Sequence, residues 1–191
     1  AFRVEISGAF GLNIVRIGAR GYGVATRDAD GRIHTLENEK CSSGTGETMV
    51  KIAGRFGLTI QEADALALAA SQAVPITARC SVFAKSEMTH FGNQGRPADQ
   101  LFRGYFRAIA NYVVALLARI QVDGPVLVIG GGARIRSLVD ALGEVIGARG
   151  KADARPRWRV ARGDDDRRLV DQARGIRDPE AHGDGARRRV R

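Results

Sequence analysis

The sequence predicts an α/β domain, and three features carry that expectation. Short alternating segments near the start read as strands joined by glycine turns. The middle of the chain switches to apolar residues at helical spacing. Near residue 125 a strand runs through a glycine-rich turn into a helix, the clearest α/β unit in the chain.

Each element follows from its own pattern. Residues 2–7 alternate like a strand, and 13–18, 22–28 and 32–37 read as three more. Asp28-Ala29-Asp30-Gly31 is a hairpin turn, because glycine tolerates positive φ. Met49, Ile52, Ala53 and Phe56 then form the stripe of a helix that Thr45 can cap and Gly57 can end. Thr59 and Glu62 make a capping box for a second helix, from Ile60 to about Ala73, which Pro75 stops. After Cys80 a short apolar run leads to a loop at 93–97. A long helix follows, from about Ala98 to Ile120, with Leu101, Tyr105, Ile109, Tyr112, Val113, Leu116, Leu117 and Ile120 on its buried face. The last unit is a strand at 125–129, a turn at 130–133 and a helix at 135–146. There is no internal repeat.

The bulk numbers narrow the function classes. The chain has 191 residues, 44% of them apolar, enough for one domain with a real core. No uninterrupted apolar run reaches the ~18 residues that span a bilayer, so no membrane partner is expected. The net charge of +9 suggests nucleic acid, but its distribution argues otherwise. Residues 149–191 hold 14 Lys and Arg against 8 Asp and Glu, while the first 148 residues hold 16 against 13. That basic stretch has little apolar periodicity and reads as a disordered tail. It has no aromatics interleaved with its arginines, so specific nucleic-acid binding is not expected. Two cysteines without a secretory leader point to a reducing, cytoplasmic setting.

The cysteines carry the chemistry. Cys41 sits in Asn-Glu-Lys-Cys-Ser-Ser-Gly-Thr-Gly (38–46), and Cys80 in Cys-Ser-Val-Phe-Ala-Lys-Ser-Glu (80–87). Two thiols are too few for a four-thiolate site in one chain. Two from each of two chains, related by a two-fold axis, give four. Gly44, Thr45 and Gly46 would then form a helix start whose dipole faces the cluster. Buried structural thiols are the plain alternative. His34, His90 and His182 are scattered and do not stand at ligand spacing.

These motifs resemble the two cysteine motifs of the BadF/BadG/BcrA/BcrD family, the activator ATPases of 2-hydroxyacyl-CoA dehydratases and ATPase subunits of benzoyl-CoA reductases. The family pattern is Asn-Asp-Lys-Cys-(Ala/Ser)-Ala-Gly-Thr-Gly followed, at matching spacing, by Cys-Thr-Val-Phe-Ala-Glu-Ser-Glu. The resemblance covers roughly residues 1–147. It implies the acetate kinase/Hsp70/actin fold of two ribonuclease-H-like lobes, here partial, with an inserted helical segment carrying the cysteines. Residues 1–12 would be a remnant of the first lobe and 13–148 the second lobe. The chain then reads as a fragment.

By the same resemblance, Cys41 and Cys80 would hold one [4Fe-4S] cluster bridging a homodimer. ATP hydrolysis would drive one low-potential electron to a dehydratase or reductase acceptor. Gly18, Gly130, Gly131, Gly132 and Ala133 would line the nucleotide, ATP or ADP with Mg²⁺.

Three departures from the family stand out. The acidic loop Asp-Ile-Gly-Gly-Gln-Asp-Ser-Lys is replaced by Arg16-Ile17-Gly18-Ala19-Arg20-Gly21-Tyr22-Gly23, which offers no carboxylate to Mg²⁺. Ile135 stands where the family has Asn near the adenosine. Residues 149–191 show neither the closing strand nor the helix, and their arginine-rich composition resembles an out-of-frame translation of GC-rich DNA. Two other readings therefore stay open: a degenerate, non-hydrolysing cluster and dimerisation module, and a kinase-like nucleotide-binding lobe with structural cysteines.

Overall fold

Asn13–Ile17 (β1) forms the middle strand of a five-stranded mixed sheet, and its burial explains why. Ile14, Val15 and Ile17 are all buried, as expected of a strand covered on both faces. The strand order is β3-β2-β1-β4-β5. Tyr22–Arg27 (β2) pairs antiparallel with β1, setting Ile17 opposite Tyr22, and Ile33–Glu37 (β3) pairs antiparallel with β2. Val126–Ile129 (β4) runs parallel to β1 on the other side, with Arg16 opposite Ile129. Arg159–Val160 (β5) adds a short parallel pairing to β4. The buried Asn13 side chain accepts a hydrogen bond from Thr26 Oγ1 across the β1–β2 ladder at 2.6 Å.

This computed structural model describes residues 13–27, 30–38, 44–120, 126–149 and 159–160. The described residues all fall within one compact unit. The strand expected at 2–7, Asp28 and Ala29 of the hairpin turn, and Cys41 lie outside them.

Five helices complete the α/β architecture: Gly46–Arg55 (α1), Ile60–Ala69 (α2), Ser81–Asn93 (α3), Ala98–Leu117 (α4) and Arg136–Arg149 (α5). α4 is the central pillar. Leu101, Phe102, Tyr105, Phe106, Ile109 and Val113 are fully buried, and the helix packs against α5, α2, α3 and β2. Phe56, Phe102, Phe106 and Tyr105 form an aromatic chain, its first pair edge-to-face at 5.3 Å. Ala98–Ile120 is long and apolar enough to cross a membrane, yet most of it is buried by these neighbours. The described polar side chains that are buried are paired as well: Asn13 with Thr26, Thr45 with Thr48, and Ser137 with Asp64.

The structure revises three expectations. Residues 81–93 form a helix, not an apolar run leading to a loop. Only Ala84 and Met88 of that helix are buried, so its stripe is too sparse to read from sequence. α2 ends at Ala69, short of Ala73. Ala70 turns extended with ψ 133°, and its carbonyl accepts from Arg103 Nη1 at 2.9 Å, so the helix is stopped by α4 before Pro75 is reached. Finally, β5 lies in the stretch from 149 that was expected to hold no strand, because the open edge of β4 offers backbone groups for it to pair with.

Candidate functional site

Two places in the fold gather the residues singled out above. The first lies at the C-terminal ends of β1 and β4. The chain leaves β1 through Gly18, whose N–H donates to Gly21 O at 2.8 Å in a tight turn. It leaves β4 through Gly130 at φ +89°, followed by a 3₁₀ turn, Gly131–Arg134. The two turns are in close contact. A Cβ on Gly130 would stand 2.5 Å from the Ile17 carbonyl oxygen, and one on Gly132 would stand 2.5 Å from Ile17 Cγ2. Glycine is therefore required at 130 by both backbone angle and space. Gly131 has nothing within 4 Å of its missing Cβ, so this side of the turn is open to a ligand. Ala133 is buried beside it.

The start of α1 joins the same place. Gly46 N–H donates to Gly18 O at 2.9 Å, and Glu47 N–H to Ala19 O at 3.0 Å. Two of the helix's orphan amides are thus satisfied by the β1–β2 turn. Thr45, nearly fully buried, caps the helix by accepting from Thr48 N–H at 3.3 Å. Gly44 fits because a side chain there would strike the Tyr22 ring at 2.8 Å. The structure therefore brings Gly18, Gly130, Gly131, Gly132 and Ala133 together with Gly44, Thr45 and Gly46.

The charges here differ from a magnesium site. Arg16 pairs with Glu37 at 2.7 Å. Glu47 pairs with Lys51 at 2.6 Å, and the Lys51 ammonium holds the Glu47 carboxyl below its ordinary range, with a smaller push from the charge of Arg20. The nearby carboxylates are thus engaged by cations, and residues 16–23 supply none. Mg²⁺, which prefers carboxylate and water oxygens, does not fit this set of described residues. The amides at the start of α5 are also taken. Asp64 of α2 accepts from Arg136 N–H at 3.0 Å and from Ser137 N–H at 2.8 Å, with the Ser137 hydroxyl donating at 2.6 Å. That carboxylate caps α5, so the open part of the glycine edge is at Gly131 rather than at the helix N-terminus.

The second place is the start of α3. Cys80 is a free, half-buried thiol at the N-cap, with φ −146° and ψ 168°. Its Sγ accepts from Phe83 N–H at 3.4 Å. A sulfur facing helix-start amides suits a ligating thiolate, whose negative charge such amides complement. Val82 and Phe83, the second and third residues after it, are 70% and 63% exposed, so this helix start carries apolar side chains at the surface. Cys80 therefore fits the role of one cluster ligand. Among the described residues, no three His, Cys, Asp or Glu side chains gather as a metal site.

Sequence reasoning missed the groups that hold the segment before this cysteine. Glu87 reaches back to the segment before α3, and Tyr112 of α4 meets it from the other side, donating to Thr77 O at 2.7 Å. Glu87 lies in the quoted motif, but its partners are nine and ten residues upstream, outside any helical or capping spacing. Asp64 carried no signal either, since it acts on amides 72 and 73 residues away.

A 2-hydroxyisocaproyl-CoA dehydratase activator of Clostridioides difficile is 29% identical over 134 residues, which are 70% of this chain and 50% of that protein. A benzoyl-CoA reductase subunit of Thauera aromatica is 27% identical over 135 residues, 70% of this chain and 48% of that one. The solved activator of the 2-hydroxyisocaproyl-CoA dehydratase from Clostridium difficile, with bound ADPNP, superposes with a TM-score of 0.69 at 26% identity. The match covers 78% of this chain and 53% of that one. The chain thus spans about half the length of the relatives it matches. The sequence profile of the BadF/BadG/BcrA/BcrD ATPase family matches residues 7–163, and the chain belongs to that family.

Proposed function

We propose that this chain is the cluster-bearing lobe of an ATP-dependent activator. In this reading it passes a low-potential electron to a 2-hydroxyacyl-CoA dehydratase or benzoyl-CoA reductase-like acceptor, in the cytoplasm. The observation that carries the reading is Cys80, a half-buried N-cap thiol whose sulfur receives the Phe83 amide beside two exposed apolar side chains. Cys41 and Cys80 of two chains would supply the four thiolates of one [4Fe-4S] centre. That centre, when bound, supplies a single electron at low potential. The chain's own residues would orient the sulfur and set the Phe83 amide toward its charge, with Val82 and Phe83 as exposed apolar neighbours in the chain. ATP or ADP would lie along Gly130, Gly131, Gly132 and Ala133, against Gly18. Gly44, Thr45 and Gly46 tie that turn to the helix that follows Cys41.

Anaerobic reconstitution with iron and sulfide tests the proposal. About four iron per two chains and a brown dimer are expected. Cys80→Ala is expected to give a colourless, iron-free protein with its helices intact by circular dichroism. A wild-type monomer without iron would reject the reading.

The Arg16–Glu37 pair favours a second reading, in which the chain keeps the cluster and dimer interface but does not hydrolyse ATP. Calorimetry with Mg-ATP on the iron-loaded dimer distinguishes the two. No binding heat alongside full iron selects the non-hydrolysing module.

A further inference from the structure

The segment leading to Cys80 is held in an unusual backbone conformation by one carboxylate. Ala78 is fully buried and has φ +45°, a left-handed angle that a residue with a Cβ rarely adopts. Such a conformation persists only where the surroundings over-determine it. Here they do. Glu87 Oε2 accepts from Thr77 N–H at 3.1 Å and from Ala78 N–H at 3.0 Å, and Glu87 Oε1 accepts from the Thr77 hydroxyl at 2.7 Å. Tyr112 fixes the Thr77 carbonyl from α4. Every polar group of Thr77 is therefore engaged by a side chain from one of two helices. Two residues beyond the left-handed turn, Cys80 enters the N-cap with its sulfur on the Phe83 amide.

We infer that Glu87 is a positioning residue for Cys80. Its carboxylate clasps Thr77 and Ala78 from within the helix that Cys80 caps, and so fixes the sulfur against the amide of Phe83. The clasp closes a loop in one piece of chain: α3 carries the carboxylate that sets the backbone entering α3. A carboxylate suits this place because its two oxygens together accept from two backbone N–H groups and one hydroxyl, and an aliphatic side chain at 87 would offer none of them an acceptor. The inference deepens the cluster reading and rests on it only for its consequence in the iron-loaded protein.

Amide hydrogen exchange on the full, iron-free chain tests the positioning without any cluster. In Glu87→Ala, exchange at Thr77 and Ala78 is expected to be about fivefold faster, the change for one ordinary hydrogen bond lost. Phe83, whose acceptor is the Cys80 sulfur, is expected to accelerate by a similar factor, while Ile109 in the core is unchanged. Cys80→Ala is expected to speed Phe83 to the same level on its own, and Glu87→Ala is expected to add nothing further there. Glu87→Asp, shorter by one methylene, serves if Glu87→Ala does not fold, with the same pattern expected. Faster exchange at Thr77 and Ala78 with Phe83 unmoved would make Glu87 a brace of the loop only and overturn the inference. In the reconstituted dimer, Glu87→Ala is expected to lose iron to a chelator about fivefold faster than wild type. Wild type taking up no iron would reject the cluster reading alone, and the exchange pattern would still decide the role of Glu87.

Discussion

Gly130 shows how a single residue can tie two strands into one site. It combines φ +89° with a missing Cβ that would stand 2.5 Å from a backbone oxygen, and neither constraint can relax without moving β1. Gly130→Ala is expected to destabilise the fold by about 1–3 kcal/mol, measured by urea unfolding, from strain and overpacking together. Gly131→Ala, in open space, is the control and should leave stability nearly unchanged. Thr45→Ala removes the buried cap of α1 and is expected to cost about 1–2 kcal/mol. The sequence made Gly130 and Thr45 legible because turn and cap signals are local. It did not expose Glu87 or Asp64, whose partners are set by tertiary contact. Lys85, one residue from the motif's Ser86, stands where the family has Glu, and it lines a shallow groove with Arg55 and His90.

Legibility among the elements followed how each one is buried. The three antiparallel strands and α4 emerged at nearly their observed bounds, because alternation and a continuous apolar stripe are strong signals. α3 did not, since it buries only Ala84 and Met88 and leaves Val82 and Phe83 exposed. α4 also depends on a close approach that its stripe does not reveal. A Cβ at Gly104 would stand 1.9 Å from the Val74 carbonyl oxygen, and Val74 N–H donates to Gln100 O, so the extended segment after α2 lies directly on the helix backbone. Glycine normally weakens a helix interior, so Gly104→Ala tests which effect wins. Helix propensity favours alanine by about 1 kcal/mol, but overlap with a backbone atom costs more. The expected result is a net loss of stability by thermal unfolding. α2 supplies a pH test. Glu62 accepts from the Thr59 N–H and hydroxyl, which hold its carboxyl below the ordinary value of 4.5. A lowered folded value means that its stabilising contribution is present above that ordinary value and is lost as pH falls through the lowered one. Glu62→Gln should therefore reduce stability at neutral pH and narrow its gap from wild type in acid, as read by unfolding midpoints from pH 7 to pH 3.

At the scale of the whole chain, charge and fold part company near one point. The family profile ends at residue 163, and the last strand pairing among the described residues is at Val160. Most of the +9 charge lies from residue 149 onward. Composition alone assigned that entire stretch to a tail, because a two-residue strand is too short to leave an alternating pattern. It covers one edge of β4, and edges left open invite pairing with another chain. The boundary of the folded unit is therefore expected beyond β5 rather than at the end of α5. A chain ending at Gly163 should unfold at the same temperature as the full chain. A chain ending at Gly150 loses the parallel pairing of Leu127 with Arg159 and Val128 with Val160. At about 1 kcal/mol for each hydrogen bond lost, its midpoint should fall by a few degrees. Its β4 edge should also make it self-associate on a sizing column. Equal stability of the two truncations would place the boundary at α5 and leave β5 without a part in the fold.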